Sequence, residues 1–123
     1  MKNVNGTLRM NIAKVRKLVS GWPGVEEDLK WGCDRVWSVA GKMFCVLPED
    51  QRTGACFKVP DEAFLAMTDR PGIVPAPYLA RAKWVLLEHA KAMPEVEQRV
   101  AIRTSYELIR AKLPKKTQRE LAD

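Results

Sequence analysis

The stretch from residue 35 to residue 59 does most to limit what this chain can fold into. Arg35-Val36-Trp37-Ser38-Val39 is β-branched and aromatic, Ala40-Gly41 punctuates it, and Lys42-Met43-Phe44-Cys45-Val46-Leu47 resumes the same character, the pattern of a hairpin. Pro48 through Gly54 is a polar turn, and Ala55-Cys56-Phe57-Lys58-Val59 is a further strand. Residues 25–30 add a weaker strand before them. Connections this short leave each strand only its sequence neighbours to pair with, so an antiparallel meander of about four to five strands is expected.

Helical patterns flank the strands. Leu8, Ile12, Val15 and Val19 keep the spacing of one helix face over residues 7–20, with Thr7 as N-cap and Gly21 able to end the helix. Pro94-Glu95 opens a last helix in which Ile102, Tyr106, Ile109 and Leu113 repeat that spacing, and Pro114 stops it. A shorter helix starts at Asp61 and carries Phe64, Leu65 and Met67. Residues 70–78 hold three prolines and a glycine and read as an ordered extended loop. Lys83 to Glu88 fits a final strand through Trp84-Val85-Leu86-Leu87, although Glu88-His89-Ala90-Lys91 suits helix. The fold class is α+β, an antiparallel sheet packed against N- and C-terminal helices. A chain of 123 residues makes one domain, with a core over about 7–113 and a basic tail over 114–123.

A hydrophobic fraction of 46% and a charged fraction of 29% are those of a globular protein. No apolar run approaches the length of a membrane helix, and the first residues carry no apolar signal-peptide core, so a cytoplasmic protein without membrane attachment is expected. The net charge of +6 is unevenly spread. Residues 1–20 carry +5, residues 21–98 carry −3 and residues 99–119 carry +6, so an electrostatic footprint is to be sought at the two ends of the chain.

Catalytic signatures are not found. There is no glycine-rich phosphate loop, no GxSxG and no HExxH, and His89 is the single histidine around which a triad could be built. Glu26-Glu27-Asp28 is best read as a solvated turn, because adjacent carboxylates on extended chain alternate between faces. Cys33, Cys45 and Cys56 lack metal or CxxC spacing and read as buried, reduced thiols. No cofactor and no metal are expected, and the chain reads as a binding protein, not an enzyme.

Trp22, Trp31, Trp37 and Trp84 suit a small core, and aromatic side chains on a sheet can also stack unpaired bases. Lys42 and Lys58 lie at strand positions that alternation turns away from core-type neighbours, so the sheet is expected to offer basic surface. Lys112-Leu113-Pro114-Lys115-Lys116-Thr117-Gln118-Arg119 is the strongest basic run.

A series of motifs spans about residues 15–119: Trp22-Pro23-Gly24, Trp31-Gly32, Ala40-Gly41-Lys42-Met43-Phe44, Phe57-Lys58-Val59, Pro71-Gly72-Ile73, Pro75-Ala76-Pro77-Tyr78, Lys83-Trp84-Val85, Ser105-Tyr106-Glu107-Leu108-Ile109 and Lys112-Leu113-Pro114-Lys115-Lys116. In this order they resemble the MmcQ/YjbR family, with a departure in the longer segment after Trp84. The resemblance implies a double-wing arrangement, more distantly frataxin-like, and a DNA-binding label that rests on fold analogy. DNA is the expected partner. Phosphate contacts are expected from Lys42, Lys58 and Lys83 in the sheet region and from Arg103, Arg110, Lys112, Lys115, Lys116 and Arg119 in the last helix and tail. The alternative is a protein-interaction or small-ligand module that uses the Pro-rich loop with Tyr78 and Trp31.

Overall fold

The computed structural model describes residues 9–122. Its elements in chain order are helix α1 (Ile12–Val19), strands β1 (Val25–Lys30), β2 (Asp34–Val39), β3 (Lys42–Pro48) and β4 (Cys56–Lys58), a 3-10 turn (Asp61–Ala63) leading into α2 (Phe64–Thr68), β5 (Ile73–Pro75), a second 3-10 turn (Ala80–Ala82), β6 (Trp84–Leu87), and helices α3 (Glu95–Ala111) and α4 (Lys115–Leu121). The strands form one open antiparallel sheet in the order β1-β2-β3-β4-β6-β5.

The meander holds from β1 to β4, and two further strands complete the sheet. The segment expected as a loop supplies β5, in which Ile73, Val74 and Pro75 stand opposite Leu87, Leu86 and Val85. Pro75 is tolerated because β5 is an edge strand, where no inner neighbour needs its missing N–H. The ambiguous segment after Lys83 is the strand β6, placed between β4 and β5. Both sheet edges are short or charged. β1 carries Glu26, Asp28 and Lys30, and β5 has three residues ending in proline.

One row across all six strands runs Glu27, Trp37, Cys45, Phe57, Val85 and Pro75, and the neighbouring row runs Asp28, Val36, Val46, Cys56, Leu86 and Val74. Alternation sends the two rows to opposite faces. Trp37, Cys45, Phe57 and Val85 belong to the core, together with Ile12, Val15 and Val19 of α1 and Ile102 and Tyr106 of α3. The register slips between Trp37 and Ser38, so Phe44 and Cys45 are both buried, as a bulge allows.

Helix α1 begins later than its apolar spacing suggests. Asn11 is the N-cap, its side chain accepting the Lys14 N–H at 2.8 Å, and the expected cap Thr7 lies outside the described residues. The chain from Lys14 to Trp22 runs alongside α3 in the same direction, pinned by Lys14 to Glu95 at 2.7 Å and by Trp22 against Tyr106, ring centres 5.1 Å apart. The α3 stripe is narrower than its period implies. Ile102 and Tyr106 are fully buried, whereas Ile109 is only partly buried. Gln98 is also fully buried, and its amide donates to the carbonyls of Ala90 and Met93, closing the loop before α3.

The segment expected as a tail is folded. Gln118 donates to the carbonyls of Ala111 and Leu113, which satisfies the end of α3 and turns the chain into α4. Leu121 then packs beside Val39 against Gly24, which has φ +75° and leaves no room for a Cβ. The carboxylates expected in a turn lie on β1 instead. Of the cysteines, Cys45 is buried and Cys56 half-buried, but Cys33 is exposed because it sits in the β1–β2 turn and not on a strand. Among the described residues no helix is long and apolar enough to cross a membrane.

Candidate functional site

Cross-strand register decides where the sheet lysines go. Lys42 stands opposite Val39 and Lys58 opposite Trp84, so Lys42, Lys58 and Lys83 all lie at the same end of the sheet. The C-terminal part of α3 reaches that end, where the Ser105 hydroxyl accepts the Lys58 N–H at 3.0 Å. The Lys58 ammonium feels the charges of Lys112 and Lys83, with Asp61 as a partial counterweight. Three lysines from distant parts of the sequence thus meet at one place. The helix α4 starts just beyond them and carries Lys115, Lys116 and Arg119 on its exposed surface.

The nine expected phosphate-contacting residues are not equivalent. Lys58 is only 6% exposed and donates its ammonium to the Ala82 carbonyl. Burial, followed by Lys112, holds its pKa below the ordinary lysine value. The expectation that Lys58 forms part of an open basic surface is therefore corrected: the loop between β5 and β6 supplies the acceptor that takes its charge inward. Lys83 is half-buried with its ammonium over the Phe64 ring at 5.2 Å. Arg103 stacks on Trp22 and Tyr106 and pairs with Glu107 at 2.9 Å. Arg110 donates to the Tyr106 hydroxyl at 3.1 Å. Lys42, Lys112, Lys115, Lys116 and Arg119 are exposed, and no carboxylate pairs with them among the described residues.

The first helix does not add to this cluster as its charge suggests. Lys14 is tied to Glu95 and Arg16 to Glu27. Glu27 accepts from Nε and Nη2 of Arg16 and from the Trp37 indole at 3.1 Å. The hydrogen bonds from Arg16 are the main reason its pKa lies below the ordinary glutamate value.

The face of the sheet away from the helices holds a second feature. Met43, Val46, Cys56 and Leu86 form the floor of a cavity of about 590 Å³. Trp31 lines it from the β1–β2 turn and Tyr78 from the loop between β5 and β6. Both aromatic residues are strongly exposed, Trp31 at 67% and Tyr78 at 104%. Both also sit at positive φ, 56° and 66°, a conformation that costs a non-glycine residue about 1–2 kcal/mol. The other three tryptophans pack inward, with Trp37 and Trp84 buried and Trp22 partly so. No three His, Cys, Asp or Glu side chains among the described residues are grouped to hold a metal ion.

A crystal structure of a Deinococcus radiodurans protein described as carrying domain DUF419 superposes with a TM-score of 0.82 at 20% identity, covering 93% of this chain and 88% of that one. A Pseudomonas syringae protein superposes with a TM-score of 0.62, also at 20% identity, over 80% of this chain and 98% of that one. Likeness at this identity speaks for the fold alone. Among curated proteins, none matches the chain. The YjbR family model matches residues 20–108, which takes in the sheet and most of α3, and the chain belongs to the YjbR family.

Proposed function

We propose that the chain is a cytoplasmic, non-catalytic DNA-binding protein that holds duplex DNA by its phosphates at the basic end of the sheet. The observation that carries this reading is the exposed group of Lys112, Lys115, Lys116 and Arg119, which no carboxylate pairs with among the described residues, at the end of the sheet where Lys83 and the buried Lys58 already place positive charge. Like charges gathered in one place repel each other, and a polyanion relieves that repulsion while releasing its counterions. Lys42 approaches from the β2–β3 hairpin, next to Val39 and the Leu121 end of α4. Such contacts supply affinity and orientation, not base sequence. Because α4 is folded, its lysines are presented from a fixed helix and not from a loose tail.

Duplex binding measured against salt tests the reading. Log affinity should fall with log salt at about −0.9 per phosphate neutralised. Replacing Lys115, Lys116 and Arg119 with Ala should weaken binding about equally on all sequences and flatten the slope by up to about three units. Replacing the buried Lys58 with Met should leave the slope unchanged. Absence of binding at about 50 mM salt, where nonspecific association is strong, would overturn the proposal.

A further inference from the structure

The trough on the open face is built like a ligand site and lies away from the helices that carry the basic cluster. Its volume of about 590 Å³ falls in the range of about 300–1,000 Å³ of small-molecule pockets, which are mostly apolar with a few placed polar groups. The floor follows the cross-strand row Val46, Cys56 and Leu86. Topology puts Trp31 at the β1–β2 side and Tyr78 at the β5–β6 side. From β2 across β3 and β4 to β6 is three strand spacings, about 14 Å, so the trough suits an elongated body.

Charge decides which kind of body. Two charged residues line the trough, Asp34 and Arg52. Arg52 is already engaged by Asp50 at 3.1 Å. Asp34 has neither a hydrogen bond nor an ion pair to its carboxylate among the described residues, although Lys30 is its cross-strand partner. It starts β2 three positions after Trp31, so the uncommitted carboxylate and the exposed indole belong to the same end. Its charge reaches the trough floor, where it is one of the influences on the Cys56 thiol. A carboxylate beside an indole face is the chemistry that selects organic cations.

We propose that this trough binds an organic cation with an elongated apolar body, its ammonium at the Trp31 and Asp34 end and its body lying over Val46, Cys56 and Leu86 toward Tyr78. The proposal does not depend on the basic cluster binding DNA.

Three small molecules with one body and three charges test it: phenylbutylamine, phenylbutanol and phenylbutyrate. Each is titrated into isotope-labelled protein while backbone and indole resonances are followed. The amine should shift the Val46, Cys56 and Leu86 amides and the Trp31 indole, and bind about five- to tenfold more tightly than the alcohol. Phenylbutyrate should bind most weakly. Asp34→Asn should lower the amine to the affinity of the alcohol while leaving the alcohol unchanged, which also shows that the variant is folded. Leu86→Trp, which fills the trough, should weaken all three. Equal affinity for the three molecules, an amine preference that survives Asp34→Asn, or shifts confined to other surfaces would overturn the proposal. So would a concentration-dependent dimer whose trough amides ignore the amine, which would assign this face to a second copy.

Discussion

Ser105 stands in for a missing rung of the sheet at Lys58: its hydroxyl accepts the Lys58 N–H at 3.0 Å and donates to the Phe44 carbonyl at 2.7 Å. The β3–β4 ladder ends at Cys45 opposite Phe57, so Phe44 and Lys58 would be the next partners. Phe44 is the extra residue of the bulge between β2 and β3, and on its β4 side the hydroxyl of a helix residue takes the place of the rung. Ser105 is fully buried. Ser105→Ala would strand a buried N–H and a buried C=O, each costing about 1–3 kcal/mol. The expected result is a fall in the urea midpoint corresponding to about 2 kcal/mol or more, with the far-ultraviolet spectrum unchanged. A change near zero would mean that water replaces the hydroxyl.

The Glu27 cluster sets an acid limit on stability. The folded pKa of Glu27 is lowered, first by hydrogen bonds from Arg16, against the opposing effect of burial, and further by Arg16's charge, Trp37 and Arg35. A carboxylate with a lowered folded pKa adds stability above its unfolded value, and that contribution disappears as pH falls through the folded value. Urea midpoints should therefore decline below about pH 4.3, the ordinary glutamate value. Glu97, held down by Arg70, works in the same direction. Glu27→Gln should flatten part of the decline and converge with the parent at low pH. Parallel curves for the two proteins would show that Glu27 is not the group responsible.

The three thiols should react as three different groups. Cys33 is exposed. Cys56 is pushed up to about 12, chiefly by burial and then by Asp34, and buried Cys45 is raised further, again chiefly by burial. Because the thiolate is the reacting form, a disulfide reagent at about pH 8 should label Cys33 at once and Cys56 slowly. Cys45 should react only as fast as the protein unfolds. Cys33→Ser should remove the fast phase entirely. A fast phase that persists in this variant would place Cys56 in the open.

How far the sequence could be read depended on the range of the interactions. The strands from residue 25 to 59 and both main helices follow from local periodicity, and the structure has them close to where the pattern puts them. β5 was hidden because three residues ending in proline carry no period of their own. It is a strand only because β6 lies alongside. α4 was hidden for a different reason: Gln118 caps α3 from only five and seven positions away, through side-chain geometry that no apolar period displays, and Leu121 reaches Gly24 far back in the chain. At the candidate site, alternation cannot reveal that the Lys58 side chain ends on the Ala82 carbonyl, 24 positions away. Ser105 was visible as part of a motif, but its reason for being there depends on Phe44, 61 positions earlier. Asp34 drew no attention in the sequence, because a single acid at a strand start has no meaning until the opposite wall of the trough is in place.

The way the sheet ends has a consequence for behaviour in concentrated solution. A strand edge with free N–H and C=O groups can recruit a strand from a neighbouring molecule, and long, flat, apolar edges are the ones that seed fibrils. Here one margin carries Glu26, Asp28 and Lys30 on its outer strand, and the other is only three residues long and closes on Pro75. A second molecule approaching β1 would have to bring its chain against those charges, and one approaching β5 would meet too few rungs to hold. The apolar open face can therefore stay uncovered without the sheets of separate molecules fusing edge to edge.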